Sequence, residues 1–193
     1  MQLLKDRILA EGRVLPGNII KVDGFLNHRV DTTLLRAMAR EFTGLFDLKG
    51  LTAVLTVEAS GIALGTVCAE EWGVPLIFAK KSKSDNIEGG LYRSDIFSYT
   101  YNKTATLLVS QQWLGSNDKV FIVDDFLANG EALRGTVEIA DQAGAEILGI
   151  GIAIEKGFQS GGQRIREAGY NLKSLVIIDK ADENGFVFRD NNK

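Results

Sequence analysis

The chain of 193 residues is 45% hydrophobic and 24% charged, with both signs interspersed, which suits one well-packed domain and excludes a disordered polymer. A net charge of −3 argues against nucleic acid as the main partner, and no apolar run approaches the ~20 residues of a membrane span. One cysteine, Cys68, excludes an internal disulfide and a cysteine metal cluster, and a single histidine, His28, leaves no multi-histidine site. Without a secretory-type apolar segment at its start, the chain is expected in the cytoplasm, away from membranes.

Residues 1–12 place Leu3, Leu4 and Ile8 at helical spacing and stop at Gly12, which predicts an amphipathic helix. Residues 19–22 read as a short strand, and residues 24–28 as a loop with exposed apolar character, where His28 is expected to make a local hydrogen bond. Asp31-Thr32-Thr33 can cap a helix to about residue 46, with Leu34, Leu35, Met38 and Phe42 on one face. From there strand and helix alternate, as in an α/β sheet.

Residues 52–57 form an apolar strand, Glu58-Ala59-Ser60-Gly61 a turn, and residues 62–72 a helix that holds Cys68 as inert core. A strand over residues 74–79 ends in Lys80-Lys81-Ser82-Lys83, either a solvated surface run or countercharge for an anion. Residues 85–91 are polar, and residues 92–101 and 104–109 read as a two-stranded excursion; so long a polar loop is uncommon unless functional.

The stretch that organises the chain comes next. Residues 120–123 are a buried strand, Asp124 and Asp125 sit at its carboxyl end, and Ala128-Asn129-Gly130 opens a helix over residues 131–143. A strand, a tight turn and a helix start make a phosphate site, because the first amides of a helix are unpaired and its dipole is positive there. The aspartates want hydroxyls, a cationic centre or a metal instead, so a phosphorylated sugar fits both halves. The competing reading is an ordinary βα unit with a solvated acidic pair. Residues 146–154 form a further strand running into Glu155-Lys156-Gly157-Phe158. Lys156 and Phe158, two apart in an extended segment, would share a side and offer a stacking surface with an ammonium donor, unless Phe158 folds into the core. A helix at 162–168, a strand at 173–178, an edge strand at 185–188 and a loose end at 190–193 complete the chain.

The segment from Val120 to Ala132 resembles the PRPP-binding motif of type I phosphoribosyltransferases, with Asn129 and Glu131 departing from the usual Thr and small residue. Lys21-Val22-Asp23-Gly24-Phe25-Leu26-Asn27-His28, Glu58-Ala59-Ser60-Gly61-Ile62 and Ile154-Glu155-Lys156-Gly157-Phe158 are similar to the xanthine branch of that family, over essentially the whole length. The resemblance implies one domain over residues 1–193 with a central, mostly parallel sheet flanked by helices. It further implies a small hood over the base from about residues 1–36 and a flexible loop at 82–103 that covers bound PRPP.

By the same resemblance Asp124, Asp125 and Lys81 act in catalysis. Ala128, Asn129, Gly130, Glu131 and Ala132 hold the 5′-phosphate, Ala59, Ser60 and Gly61 hold the diphosphate, and Ile20, Asn27 and Lys156 line the base pocket, which Phe158 is expected to join through its spacing from Lys156. Glu131 is expected to offer its amide and turn its carboxylate away. The implied reaction transfers phosphoribose from PRPP to xanthine, in a homodimer, with Mg²⁺ held mainly through PRPP and no protein metal site. The rivals are an adenine or hypoxanthine/guanine enzyme and a non-catalytic PRPP sensor. A sensor would want a basic nucleic-acid module, which the short amino-terminal segment does not offer.

Overall fold

Helix α1 (Gln2–Glu11) ends at Gly12 as its spacing predicts, but it buries only Leu4 and Ile8, and Leu3 faces solvent. This comes from a computed structural model that describes residues 1–81, 90–98 and 103–189; most of the expected cover loop and the end from residue 190 lie outside the described residues. A hairpin follows, β1 (Arg13–Leu15) and β2 (Ile19–Lys21), turning through Gly17 and Asn18, both at positive φ. Strand β1 escapes a sequence reading because three residues carry no usable period. The apolar residues of the next loop are a correction: Phe25 and Leu26 are fully buried, so the loop feeds the core instead of exposing it.

Helix α2 (Thr32–Leu45) starts where the Asp31 carboxylate accepts from the amides of Thr33 and Leu34, at 3.0 and 3.1 Å. The alternating elements then run β3 (Ala53–Val57), α3 (Ser60–Trp72) and β4 (Leu76–Ala79). The two-stranded excursion is β5 (Leu91–Ser98) paired antiparallel with β6 (Lys103–Ser110). After it come β7 (Lys119–Leu127), α4 (Glu131–Ala143), β8 (Glu146–Lys156), α5 (Gly161–Glu167), β9 (Leu172–Asp182) and β10 (Gly185–Phe188). Strand β7 runs past Val123, so Asp124 and Asp125 lie within it and not beyond its end.

Six of the strands form one sheet in the order β10-β9-β8-β7-β3-β4, all parallel except β10, which is antiparallel to β9. Period two decides its two faces. Phe121 and Val123 of β7 join a core with α1, α2 and α3, while Val120 and Ile122 join a second with α4, α5 and the β5–β6 hairpin. Glycine at 151 makes room for the first core: a Cβ there would come 2.7 Å from the Phe121 ring and 2.8 Å from Phe42.

The strand order also places the site. From β3 the chain moves to β4 on one side, and from β7 it moves to β8 and β9 on the other. Adjacent parallel strands whose connections leave in opposite directions open a crevice beyond their carboxyl ends. That crevice lies past Val57 and Leu127.

Candidate active site

The turn from β7 into α4 is built with its oxygens tied back. Ala128 O accepts from the Gly161 amide at 3.2 Å, Asn129 O from the Arg164 guanidinium, and Gly130 O from the Arg134 amide at 2.8 Å. The amides of residues 129–133, by contrast, meet no acceptor among the described residues. Gly130 sits at φ 83°, and a Cβ there would lie 3.0 Å from the Gly161 Cα, so both shape and space demand glycine. A row of free N–H groups at a helix start is an anion site. Glu131, at the first helical position, takes its carboxylate to Arg134 at 3.2 Å and Arg164 at 3.8 Å. The Glu131 carboxylate thus lies between two arginines.

The ladder between β3 and β7 stops at Leu55 and Ile122, and the Thr56 hydroxyl then donates to Val123 O at 2.6 Å across the diverging strands. Asp125, only 3% exposed, accepts from the Asn27 side-chain amide at 2.9 Å. Asp124 accepts from the Asp125 backbone amide at 2.9 Å. It keeps some surface open to solvent yet lies deep among protein atoms. That burial, and next the Asp125 charge, push its pKa well above the ordinary carboxylate value; the Lys81 charge works in the opposite direction.

The second predicted anion turn faces the same spot. A Cβ on Gly61 would stand 3.0 Å from Asp124 Oδ1 and 2.1 Å from the Thr56 hydroxyl, so the start of α3 abuts the acidic pair. Ala59 and Ser60 are exposed there, the Glu58–Ala59 peptide is cis, and the amides of residues 59–61 meet no acceptor among the described residues. Glu58 accepts from the Lys81 amide at 2.6 Å, which brings Lys81 to this edge with its side chain exposed.

On the other flank, Ile20 is buried in the core that Phe126 packs against. Lys156 is half-buried, with its ammonium 5.9 Å from the centre of the Phe126 ring, and burial lowers its pKa. The pairing of Lys156 with Phe158 needs correction. Strand β8 stops at Lys156 and the chain turns, so alternation does not carry to Phe158, which is 37% exposed beyond it. The aromatic beside Lys156 is Phe126, one residue past the acidic pair. Asn27 and Lys156 therefore both reach the same end of β7, one through Asp125 and the other through Phe126.

Sequence reasoning also missed Glu155. It is 2% exposed and receives two hydrogen bonds from Arg166, at 2.8 and 2.6 Å, and one from Ser174. Burial opposes its charge, but these bonds win and hold its pKa below the usual value. The available signal was an acid directly after the apolar run of residues 147–154. His28 is exposed, and the pKa of Asp23 is lowered chiefly by its hydrogen bond to Lys21. Cys68 is buried, which drives its thiol pKa up, so it is core as read. A cavity of about 530 Å³ lies elsewhere, between β4 and Trp113, and none of the predicted site residues lines it.

Residues 34–188 match the sequence model of the phosphoribosyl transferase domain, and the chain belongs to that family. It is 50% identical over 190 residues to a xanthine phosphoribosyltransferase of Ruminiclostridium cellulolyticum, spanning 98% of this chain and 100% of that one. A second such enzyme, from Lachnoclostridium phytofermentans, is 49% identical over 191 residues and 98% of both chains. The fold matches an APRTase from Giardia lamblia solved with 9-deazaadenine, with a TM-score of 0.77 and 23% identity over 92% of this chain and 98% of that one. No helix among the described residues is long and apolar enough to cross a membrane.

Proposed function

We propose that the chain transfers the 5-phosphoribosyl group of PRPP to xanthine, releasing diphosphate and xanthosine 5′-monophosphate, as a step of purine salvage. The observation that carries this reading is the row of amides at residues 129–133 that meet no acceptor among the described residues, just past the acidic pair with its buried Asp125. Those amides suit the 5′-phosphate, and Asp124 and Asp125 suit the ribose hydroxyls beside it. The relatives named for xanthine supply the base.

Breaking the C1–O bond builds positive charge on the ribose and negative charge on the departing diphosphate. Asp124 and Asp125 favour the cationic ring, while the amides at Ala59, Ser60 and Gly61 together with Lys81 receive the anion. Burial and the Asp125 charge raise the Asp124 pKa, so its carboxylate has a reason to favour a cation that develops nearby. Xanthine is acidic for a purine, and its attacking nitrogen needs little help from a general base. Lys156 donates only, which favours a ring oxo group over the exocyclic amine of adenine, and Asn27 can donate or accept at the second oxo position.

Among the described residues no cluster of three or more His, Cys, Asp or Glu could grip a metal alone. The two aspartates are a donor set that fits a cation arriving with its own phosphate oxygens, so Mg²⁺ is read as bound through PRPP. Mg²⁺ would supply charge neutralisation at the diphosphate. On this reading the whole chain is one catalytic domain, with residues 1–36 forming the hood that seats the base. Phe158 borders the pocket mouth, and the enzyme is a cytoplasmic homodimer.

The test is to incubate the protein with PRPP, Mg²⁺ and, separately, xanthine, hypoxanthine, guanine and adenine, and to assay nucleotide and diphosphate. Xanthine is expected to give the highest kcat/KM. Turnover of adenine with none of xanthine would overturn the assignment of the base, and no turnover of any purine would overturn the activity.

A further inference from the structure

The family role of a phosphate loop does not explain why an acid begins its helix, nor what helix α5 does behind it. Both questions meet at Arg164. Helix α5 lies against the loop through Gly161, whose amide donates to Ala128 O and whose backbone leaves no room for a side chain: a Cβ there would come 2.3 Å from that oxygen. One turn later, Arg164 donates to Asn129 O and stands 3.8 Å from the Glu131 carboxylate. Glu131 is also met by Arg134 at 3.2 Å, and Arg134 divides its remaining bonds between Glu138 and the Asp95 carbonyl. Arg134 is thus shared among several acceptors, and Arg164 is the cation that couples Glu131 to the loop itself.

The helix carrying Arg164 is fixed from beneath. Arg166 grips Glu155 through both nitrogens, Ser174 adds a third bond, and Gly162 is pressed onto Glu155 so closely that a Cβ would clash at 2.0 Å. A bidentate pair with one partner almost fully buried sets a fixed orientation. The brace therefore runs from the end of β8, through α5, to the carbonyls of residues 128 and 129.

We infer that Arg164 is a positioning residue of the phosphate loop, which holds the Asn129 carbonyl back and cancels the Glu131 charge so that the free amides of residues 129–133 can accept a phosphate dianion. This rests on the reading of that loop as a 5′-phosphate site. Without Arg164, the Glu131 carboxylate is left to Arg134 alone at the mouth of an anion site, and the peptide after Asn129 loses an anchor.

The test is titration of the full chain with ribose 5-phosphate, by calorimetry, for the unaltered protein, Arg164→Ala, Arg164→Lys and the double variant Arg164→Ala/Glu131→Gln. Arg164 is half exposed, so its loss should leave the fold intact, checked by melting temperature. Arg164→Ala is expected to weaken binding about tenfold, the size of one lost charge-assisted hydrogen bond. Removal of the Glu131 charge in the double variant should recover a good part of that loss, which a merely structural arginine would not allow. Arg164→Lys keeps the charge but not the fork, and should fall between. In turnover the loss should appear in the KM for PRPP with the KM for the purine unmoved. Equal binding by Arg164→Ala, or no recovery in the double variant, overturns the inference. Failure of the unaltered protein to bind ribose 5-phosphate would instead overturn the phosphate-site reading on which it stands.

Discussion

The two flanks of the crevice are made of different material. On the flank proposed for phosphate the groups on offer are backbone amides of one contiguous turn, where every carbonyl of residues 128–130 is occupied from behind. On the flank proposed for the base they are side chains, Asn27 and Lys156, which distant parts of the chain bring to the same end of β7. A backbone cradle is indifferent to which purine arrives and hard to alter by substitution. A side-chain pocket is open to change at single positions. The shared chemistry should therefore be spread over the loop, and selectivity concentrated in a few residues.

Asp125→Asn should give the largest effect. Asp125 is the buried acid between the flanks, and its loss should lower kcat about 10²–10³-fold, the scale of one lost electrostatic contact to a transition state. Kinetics with several purines should show the same factor for each. A factor that differs tenfold between bases would move Asp125 to the base flank and blur the division.

Lys156→Ala comes next, at about 1.5–3 kcal/mol, the range for a hydrogen bond to a charged group. Here the loss should depend on the base, large for xanthine and small for a purine lacking the contacted oxo group, with the KM for PRPP little changed. An unchanged kcat/KM for xanthine would remove Lys156 from the pocket.

The smallest effect is on stability and has the opposite sign. Asp124 has its pKa raised by burial and by Asp125, so the folded state holds its proton longer than the unfolded chain does. Its contribution is complete below the ordinary carboxylate range and is lost as pH rises through the raised value. Asp124→Asn should therefore stabilise the ligand-free protein near neutral pH by about 0.5–2 kcal/mol, the usual gain from relieving a strained functional position. It should also flatten the decline of melting temperature with pH, while activity falls. A variant that melts lower than its parent at pH 8 would show that Asp124 is not held at a cost.

How far each flank could be read from sequence follows from the same contrast. The start and end of α4 match the sequence reading at Glu131 and Ala143, because the apolar period and the Gly130 turn lie in one local segment. The α2 cap at Asp31 was legible for the same reason. What was not legible depends on distant partners. The acid at Glu155 was visible in its strand, but its partners Arg166 and Ser174 come from two other elements that no local pattern connects to it. Phe126 beside Lys156 went unseen because the strand alternation was carried past Lys156, where β8 ends in a turn. Phe25 and Leu26 looked exposed because a loop's burial depends on what it folds against.

Amide hydrogen exchange of residues 129–133, with and without ribose 5-phosphate, probes the proposed phosphate cradle itself. Free of ligand, these amides should exchange faster than those of the following helical turns, and the ligand should slow them selectively, because each is meant to donate to the phosphate. Ligand binding that leaves their exchange unaltered, or slows exchange only elsewhere, would contradict the account.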